Sequence, residues 1–155
     1  MKKLNFMLIV LLFLISCKLS TAQVSKIIIG VDGFTCSLCA KGVEEQFKSL
    51  VFVNSVKADL KKTLFFLAFK KDSDIKLEEL YDAVEDGGFS VRDIVIEGTG
   101  ILKVDRNKIF IFISPNISPI SLKNIPENYS DGNTVWIEGK YLDKNLDIIS
   151  IKKMQ

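Results

Sequence analysis

Two cysteines three positions apart, Cys36 and Cys39 in "GFTCSLC", are the side chains of this 155-residue chain whose types and spacing could do chemistry. The same spacing serves a soft-metal clip, a thiol redox couple and a plain disulfide. The rest of the composition narrows the choice. The chain has one further cysteine, Cys17, and no histidine. Zinc prefers four ligands, so Zn(II) here would have to recruit carboxylates, water or a second molecule. Cu(I) accepts two thiolates and suits an all-sulfur, low-coordinate site better, with Hg(II) as a chemically similar guest.

The elements around the pair decide how it is presented. "KIIIGV", residues 26–31, is short, β-branched and followed by Asp32-Gly33, the pattern of a strand running into a turn. Ala40, Val43, Phe47 and Leu50 recur at three and four, which predicts a helix over 37–50 with Lys41, Glu44, Glu45 and Lys48 in solvent. Gly42 weakens that helix by up to about 1 kcal/mol relative to alanine. Cys36 then falls in the loop after the strand and Cys39 in the first helical turn. Unpaired backbone N–H groups and the positive end of the helix dipole favour thiolates there.

Further along, "FVNSVKADL" over 52–60 predicts a half-buried strand, and "TLFFLAF" over 63–69 its hairpin partner. In that partner Leu64, Phe66 and Ala68 are expected to face the helices. Phe65, Leu67 and Phe69 then point outward and, with Ile28 and Val95, form an apolar outer patch. Asp74 or Ser73 is expected to cap a helix over 76–86, with Leu77, Leu80, Tyr81 and Val84 as its buried stripe and Gly87-Gly88 as its end. "FSVRDIVIE" supplies the last strand. Strand, helix, strand, strand, helix, strand predicts an α+β, ferredoxin-like fold with two helices on one face of four antiparallel strands.

After "EGTG", residues 97–100, the texture changes. "ILKV", "KIFIFIS", "TVWIEGKYL" and "DIISIKK" are short apolar runs between polar stretches, one of them containing proline. They predict a small all-β unit, a partly open OB-like barrel. The expected organisation is a signal segment 1–22, a ferredoxin-like unit 23–97 and a β unit 98–155. The β unit is expected to cover the apolar outer face and leave the Cys36/Cys39 loop free.

"GFTCSLC" with Val43 four positions after Cys39, then "VNSVKADL", then "LEELYDAVEDGGFSV", resembles the heavy-metal-associated domain of copper chaperones, mercury-binding proteins and the N-terminal modules of metal-exporting ATPases. The resemblance spans about residues 25–96. It implies the ferredoxin-like fold, no enzymatic activity, metal held by Cys36 and Cys39, and a partner protein for metal exchange. It also points to Phe34, Thr35 and Phe89 beside the metal. Phe34 stands where the family usually has methionine, an aromatic keeping the inward packing role. Neutral Thr35 stands where zinc and cadmium versions tend to carry an acid, which favours copper. Phe89 occupies a position where ATPase-type and bacterial members often have an aromatic. The rival roles are simpler: Phe34 and Phe89 as core, Cys36/Cys39 as redox couple or structural disulfide.

Residues 1–15, "MKKLNFMLIVLLFLI", have a basic start and an apolar run of signal-peptide length, too short to span a membrane comfortably. Cleavage after Ala22, in "STAQ", is favoured over lipidation at Cys17, in "LISC", because a strand beginning near Ser25 would leave a lipid anchor a very short tether. A retained N-terminal anchor is the remaining alternative. The protein is expected to be extracytoplasmic, in the periplasm, and at a membrane only if lipidated at Cys17. Cleavage removes Lys2, Lys3 and Lys18 but no acid, turning the formal +2 into −1. Such a near-neutral chain has no electrostatic case for nucleic acid. Lys61-Lys62 and Lys70-Lys71 read as solvated turns and Trp136 as core. The last sixty residues carry no functional signature.

Overall fold

The computed structural model describes residues 23–33, 36–71, 73–113 and 117–154; the expected signal segment 1–22 with Cys17, and Phe34 and Thr35, lie outside the described residues. β1 (Gln23–Asp32), α1 (Ser37–Ser49), β2 (Val53–Asp59), β3 (Leu64–Phe69), α2 (Leu77–Glu85) and β4 (Ser90–Asp105) follow in the expected order. The strands lie β2-β3-β1-β4, every neighbour antiparallel. α1 buries Ala40, Val43 and Phe47, and α2 buries Leu77, Leu80, Ala83 and Val84, each at the spacing that puts one stripe on the sheet. α2 is not capped as expected: Lys76 occupies the N-cap without a side-chain bond, while Ser73 Oγ turns back to the Lys70 carbonyl at 2.8 Å.

β3 has the opposite phase from the one expected. Phe65 and Leu67 face the helices, 0% and 1% exposed, and the Phe65 ring meets Phe47 of α1 edge-on at 5.5 Å between centroids. "TLFFLAF" is apolar at nearly every position and carries no period-two signal of its own. Register decides instead: Ile27 pairs with Leu67 and Ile29 with Phe65, so the buried side of β1 selects the buried side of β3. Phe66, Ile28 and Val95 form a half-buried row on the outer face. Lys26 covers part of that row, its Nζ 5.8 Å from the Phe66 ring centroid and 2.8 Å from Glu97 Oε1.

The second unit also sits differently from expectation. "EGTG" is not a connection but the middle of β4, a strand of 16 residues. "ILKV" is the end of that strand. Beyond it come β5 (Lys108–Phe112), β6 (Ile120–Lys123), β7 (Thr134–Leu142) and β8 (Asn145–Lys153). β6 emerges within the proline-containing stretch, parallel to β8. β7 pairs along β4 from Ile94↔Tyr141 to Ile101↔Thr134, on the edge away from β1, and β5 pairs with the last residues of β4. The sequence β4-β5-β6-β8-β7 thus returns to β4 and closes a barrel-like region.

Its interior, with Leu102, Ile111, Ile113, Val135, Ile137 and Leu146 fully buried, continues the face on which Ile94 and Ile96 meet the helices. The outer face opposite the helices is therefore not what this unit covers. Glycine makes the continuation possible: a Cβ at Gly100 would lie 2.7 Å from Ile111 Cγ1 and 2.7 Å from the Phe112 carbonyl oxygen. Truncation after Glu97 should consequently strip β7 from Ile94 to Glu97 and leave an open strand edge. The shortened protein is expected to aggregate or to bind a hydrophobic dye more strongly than the full chain. A stable monomer with unchanged dye binding would contradict the shared-strand architecture.

Candidate metal-binding site

β1 delivers the chain to Gly33, which turns it at φ 100°, a conformation that side-chain-bearing residues rarely adopt. Cys36 is the N-cap of α1, extended at φ −124° and ψ 150°, and its Sγ accepts the backbone N–H of Cys39 at 3.0 Å. A cysteine sulfur here does the work usually given to a serine or aspartate oxygen. No acidic side chain lies in the first turn of α1, so its positive end faces the sulfur uncompensated. Cys36 is exposed and Cys39 half-buried. The two are joined as a disulfide with Cα atoms 5.3 Å apart.

Phe89 lies beside Gly33, at the start of the cysteine loop. It follows the turn after α2, its N–H donating to the Val84 carbonyl at 3.2 Å, and its ring Cδ1 comes 3.7 Å from the position a Cβ would take at Gly33. The aromatic thus backs the start of the cysteine loop from the core side, half-buried and packed on the main cluster. Phe34 and Thr35, the other two expected neighbours, are outside the described residues.

No family model matches the chain, and no curated protein does. Solved structures do. Part of the chain resembles metallochaperone and copper-transporter domains. The CopZ metallochaperone is 28% identical, with 43% of this chain covering 98% of that one at a TM-score of 0.40. A copper-binding domain from HMA7, a P-type ATPase, is also 28% identical, covering 43% of this chain and 89% of its own at 0.40. The yeast copper transporter domain Ccc2a is 23% identical over 43% and 89%, at 0.38.

One set of residues beside the loop was not singled out from the sequence. Arg92 on β4 bonds Asp32 at the end of β1 and Thr63 in the β2–β3 turn. These positions are 60 and 29 residues from Arg92 in sequence, and no local pattern marks them. On the far flank α2 meets β7 through Tyr81 and Tyr141, whose hydroxyls burial pushes above the usual tyrosine range. Asp143 and Glu78 add to the shift at Tyr81, Glu78 and Tyr81 to that at Tyr141, so both rings stay neutral beside the acids.

Proposed function

We propose that this protein is an exported, non-enzymatic carrier of a soft metal ion, holding Cu(I) between the thiolates of Cys36 and Cys39 for transfer to a partner protein or for sequestration. The observation that carries this reading is the placement of both sulfurs at the open N-terminal end of α1, one at the cap and one in the first turn. Two thiolates there gain from the helix dipole and backbone donors, and a monovalent ion needs no further ligand. Loading first requires a dithiol reductant, which is itself oxidised to a disulfide as it reduces Cys36–Cys39 to two thiols; Cu(I) binding then releases the two thiol protons. Residues 98–155, which share β4 with the first unit, are read as an OB-like region to which this reading assigns no role. The partner is a metal-exchange protein rather than nucleic acid, and contact with a membrane depends on lipidation at Cys17. The compartment that fits the signal segment is the periplasm.

A second reading has the disulfide itself in its favour: the pair could cycle as a thiol redox couple or sensor. Titrating the reduced protein with Cu(I) against a competing chelator, alongside a reduction potential, separates the two. One Cu(I) per chain is expected, with Hg(II) competing for the same sulfurs. Zn(II) should bind much more weakly. Among the described residues no group of three or more cysteine, aspartate or glutamate side chains is placed to hold an ion, and Asp32 is engaged by Arg92. A tight monomeric zinc complex, or no Cu(I) uptake by the dithiol, would overturn the carrier reading.

A further inference from the structure

Arg92 does not extend from β4 straight into solvent. Its guanidinium crosses β1, where Nη1 donates to Asp32 Oδ1 at 2.9 Å and to Thr63 Oγ1 at 2.8 Å, and Nη2 donates to the Lys62 carbonyl at 3.3 Å. Asp93 Oδ2 lies 3.6 Å from Nε and steadies the same group. The crossing needs a bare strand beneath it. A Cβ at Gly30 would fall 2.5 Å from Asp93 Oδ1 and 2.7 Å from Arg92 Nη2.

The same cluster holds the next residue too. Val31 N–H donates to the Thr63 carbonyl at 3.0 Å, and Thr63 itself sits at φ 53°, a left-handed conformation that a β-branched residue keeps only when its surroundings enforce it. Val31 and Asp32 are thus held in succession, immediately before Gly33 turns the chain toward Cys36. Three donor contacts from one planar group to two different segments are a geometry that lysine cannot reproduce.

We infer that Arg92 is a positioning residue for the Cys36/Cys39 pair, clamping the exit of β1 so that the Cys36 sulfur is held at the start of α1. The inference deepens the metal-carrier reading and rests on it only for the copper half of its test. A clamp of this kind raises the effective concentration of one sulfur at the other, which favours both the disulfide and a two-sulfur metal complex. A clamp that merely staples the β2–β3 turn would change stability and leave the sulfurs alone.

Arg92→Gln, Gly30→Ala and the double variant distinguish these roles in the full chain. Gly30→Ala keeps every charge, and the atoms it meets are the ends of flexible side chains, so the strand survives while the guanidinium is pushed off. The first readout is the equilibrium with glutathione, in which two glutathione thiols reduce the Cys36–Cys39 disulfide to two thiols and leave one glutathione disulfide. The second is Cu(I) competition with a chelator. Each single variant is expected to shift the equilibrium toward the dithiol, and to weaken Cu(I), by about fivefold, the scale of a partly exposed charged network. The double variant should be no worse than either single one, because both remove the same clamp. A lower melting temperature with the glutathione equilibrium unmoved would overturn the inference, as would additive effects in the double variant. If the equilibrium shifts as expected while neither wild type nor variants bind Cu(I), the positioning role stands and the carrier reading falls.

Discussion

Cys36→Ser and Cys39→Ser should each lower Cu(I) affinity by well over about a hundredfold, since the loss of outer partners of metal ligands alone costs about 10–100-fold. Removing one of two thiolates leaves the ion a single soft ligand, and a serine hydroxyl is a poor substitute for Cu(I). The two variants also carry their own control. Serine is among the best N-cap residues, so Cys36→Ser keeps or improves the cap that Cys36 now supplies to the Cys39 N–H. Its helix content and melting temperature should stay near those of the reduced wild type, in which the Cys36–Cys39 disulfide is likewise absent, while binding collapses. Cu(I) competition with a chromophoric chelator, read beside circular dichroism, checks both halves. Wild-type affinity in either single variant would rule out a site shared between the two sulfurs.

The second large effect is on stability and turns on adjacent phenylalanines. Phe65→Ala should destabilise the protein by about 3–5 kcal/mol, the usual loss for a fully buried ring whose space cannot close. Phe65 is 0% exposed and packs edge-on against Phe47 of α1. Phe66 lies on the outer face under Lys26, and its removal should cost only about 1 kcal/mol from lost area and the cation–π contact. Urea denaturation of the two variants, compared at their midpoints, reads the difference directly. Equal losses, or a larger one at Phe66, would show that β3 presents its other side to the helices.

Those two residues mark where local sequence ceases to decide the structure. The recurrence of Ala40, Val43 and Phe47 on α1 and of Leu77, Leu80 and Val84 on α2 names most of each buried stripe, because a helix writes its 3.6-residue period into its own residues; Leu50 and Tyr81, expected in those stripes, are half-buried, and Ala83 is buried on α2. The same stripe on α1 sets the helix start, and with it Cys36 at the cap and Cys39 in the first turn. The order of the six elements from β1 to β4 follows from such signals and turn chemistry, and with it the antiparallel sheet under two helices.

Tertiary structure decided the rest, each time through a partner distant in sequence. The phase of β3 came from Ile27 and Ile29 opposite Leu67 and Phe65, because a strand apolar at every position has no preferred side until its neighbour has one. The passage of β4 through "EGTG" depended on Ile111 and the Phe112 carbonyl pressing on Gly100, so a glycine that looks like part of a linker is a place of close approach. β6, only four residues long in a proline-containing stretch, exists because β5 and β8 flank it. Arg92 reaches Asp32 and Thr63 because antiparallel pairing lays three separate segments side by side, and the bare backbone of Gly30 leaves its guanidinium room to cross.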